Sequence, residues 1–319
     1  MSQPPAGTAS TVTISTDDGM IITVASSGPV TITPPPAPPP VTPPPSTVKT
    51  IFFDDFTGAA GSAPSSSNWG IDAGSDPTST ASHYVNSRSN VYVDGDSHLV
   101  IATTAGTGGY SMNSGRIATW NDIGENSIGF PLFSATWGTF SARILCTPVI
   151  GYWPAFWMYG TVKPWPAGGE VDILENFATG YGNPLNKVSA GIHGGTGSGS
   201  SERSLQGGYY TIPDSNYHTY SVIIPEDYSS VTFQVDGVTM AVNTPGYNPI
   251  TEADWVSYAT QGGGGGAVVG AGPAAWPFGP GYPYGIVLNV STNAGGVGPV
   301  SPSTTQTILK ADWVKVTQP

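Results

Sequence analysis

Charge is what this chain lacks most. Only 9% of its 319 residues are Asp, Glu, Lys or Arg, and nine basic residues against 21 acidic ones leave a formal net charge of −12. Phosphate backbones and anionic lipid surfaces select basic proteins, so nucleic acid is excluded as a partner. Cysteine is almost missing: Cys146, in the strand-like run TFSARILCTP, stands alone. A disulfide framework within the chain is therefore excluded. With no basic residue beside it to lower its pKa, Cys146 reads as a buried apolar thiol rather than a reactive one. No stretch of about 18 consecutive apolar residues occurs, so a membrane span is not supported. The opening residues, MSQPPAGTAS, have neither the basic nor the apolar region of a secretory leader. The expected location is nonetheless extracellular, or on a cell or virion surface, reached by a leader not visible in this chain or by another route.

Helical periodicity is also scarce, whereas Gly (43) and Pro (31) are abundant. That composition suits many short strands joined by tight turns. Residues 34–45, PPPAPPPVTPPP, read as an extended polyproline spacer. The expected organisation is a short β-prone tether over residues 1–33, a Pro-rich linker over 34–48 and one large domain over 49–319. Fewer than 35 residues bury too little surface for an independent domain. Within the large domain the runs HLVIAT, GRIAT, TFSARILC, PAFWMYG, EVDILEN, KVSAGIHG, HTYSVIIP, YGIVLNVS and DWVKV recur between turn signals. They predict an all-β fold of two packed antiparallel sheets. Asp236-Gly237, inside VTFQVDGVTMAV, predicts a hairpin turn. The Gly-rich stretch 261–285 reads as a surface loop or a lid over a cleft.

Against this background, GGEVDILENF (168–177) is conspicuous, because three of the few acids fall within six positions of an otherwise apolar, β-prone run. On a regular strand Glu170 and Asp172 share a face and Glu175 points the other way. A β-bulge at Ile173 or Leu174 would return Glu175 to the face of the other two. Three carboxylates on one face cannot all ionise cheaply, which leaves a protonated acid beside an ionised one. A retaining glycosidase needs that pair, with one carboxylate as nucleophile and the other as acid and then base. A calcium site and an idle solvated strand face are the competing readings. The first usually interleaves its acids with Gly and Asn rather than Val, Ile and Leu.

The stretch GYWPAFWMYG…WPAGGEVDILEN (151–176) resembles the catalytic core of glycoside hydrolase family 16. Its six-position form, ExDxxE, is similar to the laminarinase-like, endo-β-1,3-glucanase branch. Flanking likenesses, among them NSGRIAT (113–119), FQVDG (233–237) and IVLNVS (286–291), extend over most of 51–319. The resemblance implies a β-jelly-roll sandwich with a concave cleft. It implies Glu170 as nucleophile, Asp172 as modulator between the glutamates and Glu175 as acid/base. It further implies Trp165 as a sugar platform, Arg116 as a contact to glycone-side sugars and His193 as a cleft histidine near the acid/base. From Trp153 to Tyr159 aromatics alternate on both faces, so half of them are assigned to the sandwich core, and Trp153 is read as the one cleft residue of the run. The same resemblance implies no cofactor for catalysis and a possible structural calcium on the convex face, with Asp312 as ligand. The chain departs from the family pattern at the Gly-rich insertion and at NAGGVGPVSPS after the LNVST run.

The expected function is endo-hydrolysis of a neutral β-1,3-glucan of the laminarin type, with retention, by a monomer. Few basic residues disfavour a sulfated galactan. Another neutral β-glucan or galactan, transglycosylation, and a non-catalytic glucan-binding, adhesin or virion role are the alternatives.

Overall fold

Period-two alternation sets the architecture, since each strand sends every second side chain between two sheets and the intervening ones outward. In the computed structural model the described residues are 10–15, 21–26, 47–79, 82–121, 131–177, 186–195, 203–245, 255–259, 276–292 and 306–319. The Pro-rich linker up to residue 46, most of the Gly-rich stretch and the run after LNVST lie outside them.

The chain divides into two units, Met1–Ser46 and Thr47–Pro319. In the first, Ser10–Ser15 and Ile21–Ser26 pair as an antiparallel hairpin. The second contains strands and no helix among its described residues. One sheet has seven strands in the order Arg203–Thr211, Lys187–Gly194, Glu170–Glu175, Tyr152–Gly160, Tyr284–Thr292, Arg116–Ala118 and Gly70–Ile71. The opposing sheet is built around Gly138–Cys146, which pairs with His218–Ile224 on one side and Gln306–Gln318 on the other. The fold is the expected two-sheet jelly-roll sandwich, apart from the parallel pairing of Ser82–Tyr84 with Met112–Ser114.

Phe140, Ile144, Tyr220, Phe233 and Val316 from the opposing sheet meet Phe156, Met158, Val171, Ile192 and Leu288 from the seven-stranded sheet in one buried core. Cys146 joins that core, where burial pushes its thiol up to about 12. Asp236 (φ 50°) and Gly237 (φ 76°) form the turn between Val231–Val235 and Val238–Pro245. Two consecutive left-handed residues are what a two-residue hairpin of matching twist requires.

Candidate active site

The strand Glu170–Glu175 runs beside Tyr152–Gly160 with a break in register. Leu174 faces Phe156 and Asp172 faces Trp157, so Ile173 is the extra residue. Ile173 and Leu174 both enter the core with Val171. Two successive core residues reset the alternation, and Glu170, Asp172 and Glu175 all line the same cleft of about 410 Å³. The bulge anticipated from the spacing is therefore present. Core burial of these apolar side chains, worth roughly 1.5–3 kcal/mol each, holds the acids outward.

The acids have different surroundings. Asp172 is buried, and Nε2 of His193 lies 3.1 Å from its Oδ2. His193 pairs with Glu170 across the strands, so it stands beside Glu170 and Asp172, whereas Glu175 faces Ser189. The Trp153 indole N–H donates to Oε1 of Glu175 at 3.1 Å. Burial first, and the Asp172 charge second, push Glu170 up to about 8, while His193 and the indole of Trp165 pull it back. The same two causes in the same order raise Glu175 well above the usual carboxylate range, opposed by His193 and the Trp153 hydrogen bond. Two carboxyl groups whose ionised forms are both disfavoured retain a proton between them.

Trp165 stands in the loop before the acid strand and lines the cleft. Its indole nitrogen is buried near Glu170 without reaching full hydrogen-bond geometry. Gly169, immediately before Glu170, has φ +84° and packs so closely on Pro277 and the Tyr284 hydroxyl that a Cβ has no room. This close approach fixes where the acid strand begins.

The aromatic strand corrects one expectation. Trp153 lines the cleft, but so do Trp157 and Tyr159; Tyr152, Phe156 and Met158 supply the core. Residues of the same parity as Trp153 share its face, so the core cannot take all the other aromatics. Trp157 donates to Oδ1 of Asn289 at 2.6 Å. Arg116 is buried between two rings, its guanidinium carbon 5.4 Å from the Trp157 centroid and 5.7 Å from that of Tyr84. It lines the cleft, with Asp72 Oδ2 3.7 Å from its Nε. The structure thus gathers Glu170, Asp172, Glu175, Trp165, Arg116 and Trp153 around one cleft and sets His193 behind Asp172.

Asp312 lies elsewhere, on Gln306–Gln318 of the opposing sheet, where its carboxylate accepts a hydrogen bond from the guanidinium of Arg143. One Asp312 oxygen is thus engaged by a guanidinium, whereas a calcium ligand set needs several oxygens turned toward the ion.

The chain is similar to several known proteins. Residues 138–236 match the family model described as XgeA-like, catalytic GH16 domain. Two glycanases of Rhizobium meliloti (strain 1021), the endo-1,3-1,4-beta-glycanases ExsH and EglC, are each 28% identical over 144 residues, 45% of this chain and 27% of theirs. The chain's match thus spans about a quarter of the length of these curated relatives. Among solved structures, the endo-1,3-beta-glucanase from Streptomyces sioyaensis superposes with a TM-score of 0.58 at 27% identity, covering 86% of this chain and 98% of that one. The laminarinase from Rhodothermus marinus shares the fold, with a TM-score of 0.61 at 21% identity over 85% of this chain and 97% of its own.

Proposed function

We propose that the chain, whose residues 138–236 match a catalytic GH16 domain model, is an endo-acting hydrolase of neutral β-1,3-glucan that works by double displacement with retention. The observation that carries the proposal is the bulge at Ile173, which turns Glu170 and Glu175 into one cleft with Asp172 between them.

In the reactive protonation state the one proton that Glu170 and Glu175 retain between them sits on Glu175; the ionised Glu170 then attacks the anomeric carbon while Glu175 gives that proton to the departing glycosidic oxygen. The covalent glycosyl-enzyme is then opened by a water whose proton returns to Glu175. Asp172 keeps the proton on Glu175 by its charge and is itself steadied by His193. Trp165 and Trp157 offer flat apolar faces suited to the C–H faces of pyranose rings. A net charge of −12 favours a neutral polymer over a sulfated or carboxylated one. A polymer of this kind is met outside the cell, which is where the enzyme is proposed to act.

The test is hydrolysis of laminarin, mixed-linkage glucan, agarose and carrageenan by the purified protein, with product sizing, alongside Glu170→Gln and Glu175→Gln. The proposal expects oligosaccharide release from laminarin, turnover lost by at least about a thousandfold in either variant, and retained binding of a long oligosaccharide. Near-normal hydrolysis by either variant would overturn the assignment.

A further inference from the structure

At the opposite side of the cleft from the acids, a loop residue and a strand residue meet over a buried carboxylate. Thr78 and Ser291 both line the cleft, and Asp76 is buried behind them. The Thr78 hydroxyl donates to Asp76 Oδ1 at 2.7 Å and the Thr78 backbone N–H to the same oxygen at 3.0 Å. The Ser291 hydroxyl donates to Asp76 Oδ2 at 2.6 Å. The two hydroxyl oxygens are themselves 2.8 Å apart.

A count of hydrogens decides what this cluster can do. Each hydroxyl has one proton, and three short oxygen contacts compete for the two. Bonds to a carboxylate are roughly twice as strong as those between neutral groups, so both protons go to Asp76. Thr78 and Ser291 then present only lone pairs to the cleft. Two such oxygens 2.8 Å apart are best relieved by a ligand donor that bridges them. Arg116 does not reverse this preference, because Asp72 stands 3.7 Å from its Nε and balances its charge.

Position fits a sugar beyond the one cleaved. Ser291 faces Trp153, while Glu175 faces Ala155 and through it Asn289, two residues before Ser291. Two strand spacings and two residues along the strand place Ser291 roughly 12 Å from Glu175.

We propose that Thr78, Ser291 and Asp76 form a specificity-determining subsite that accepts only hydrogen-bond donors. It takes a glucan ring whose hydroxyls are free and rejects one bearing sulfate, which offers no proton and brings a charge toward Asp76. This deepens the glucanase reading and rests on it.

The test measures binding by calorimetry on the chain with its wild-type subsite and on Ser291→Ala, both carrying Glu170→Gln so that no sugar is consumed, with a laminarin hexasaccharide and a partially sulfated preparation of the same oligosaccharide. The wild-type subsite is expected to bind the unmodified sugar at least tenfold more tightly than the sulfated one. Ser291→Ala should weaken the unmodified sugar by roughly fivefold to tenfold, the effect of one lost hydrogen bond. Asp76→Asn, checked for a native melting transition, should narrow the preference against sulfate; if it does not fold, Thr78→Val supplies the second measurement and should match Ser291→Ala. Equal affinity of the wild-type subsite for the two sugars, or unchanged binding in both hydroxyl variants, overturns the subsite. Absence of hydrolysis by the wild-type chain, with the binding preference still present, would instead overturn the enzymatic reading and leave the subsite standing.

Discussion

Replacing Glu170 with Gln should make the protein more stable, and the gain should depend on pH. An unfolded glutamate releases its proton near pH 4.5, whereas burial and the Asp172 charge hold the proton of folded Glu170 to about pH 8. Between those values the folded state binds more protons than the unfolded one, so stability falls as pH rises through the window. Below pH 4.5 both states are protonated and the site costs little. The rise from 4.5 to about 8, at 1.36 kcal/mol for each pKa unit, sets a ceiling of about 5 kcal/mol. Glu170 keeps part of its surface open to the cleft and shares its environment with Glu175, so screening should leave about 1–2 kcal/mol. At about 2–4 °C per kcal/mol for a large domain, Glu170→Gln should melt about 2–8 °C above wild type at pH 8. The difference should vanish near pH 4. Thermal melts of both proteins at pH 4, 6 and 8 in low salt measure it. A variant no more stable than wild type at pH 8, or equally stabilised at pH 4, would refute the claim that these acids are held against their electrostatic preference.

Other outcomes follow from single contacts. Trp153→Phe removes the indole donor to Glu175; losing a bond to the ionised form raises the Glu175 pKa, so the alkaline limb of the kcat/KM profile should move to higher pH by about half a unit to one unit. Gly169→Ala places a methyl group against Pro277 and the Tyr284 hydroxyl at a positive φ. It should cost about 2–4 kcal/mol and lower activity together with the melting temperature; wild-type values for both would show that the start of the acid strand has slack. Because Asp312 is paired with Arg143, a chelator should leave the melting temperature unchanged, and a calcium-dependent rise of several degrees would show that the pair opens to hold the ion.

How much of this was legible in the sequence depends on how local the cause is. The ExDxxE spacing sufficed for the bulge, because alternation along one strand is a property of the strand itself. Asp236-Gly237 sufficed for its hairpin for the same reason. The same parity argument, applied from Trp153 onward, also places Trp157 and Tyr159 in the cleft; reading Trp153 as the one cleft residue of the run does not carry it far enough. His193 could be expected at the cleft, but its place beside Glu170 rather than Glu175 depends on pairing register with a neighbouring strand. Asp76, Thr78 and Ser291 left no readable pattern. Asp76 and Thr78 are two residues apart, but their contacts to Ser291 span more than 200 positions, and only the packed sandwich brings the three together. Asp312 illustrates the converse, since a family position does not reveal that Arg143 will occupy its carboxylate.

The most direct test of the central claim is the configuration of the first product, followed by proton NMR during rapid hydrolysis of laminarin. A nucleophilic Glu170 sharing one cleft with an acidic Glu175 requires two inversions, so the β-anomer should appear first and mutarotate later. Initial release of the α-anomer would mean a single displacement and would contradict the roles assigned to the bulged strand.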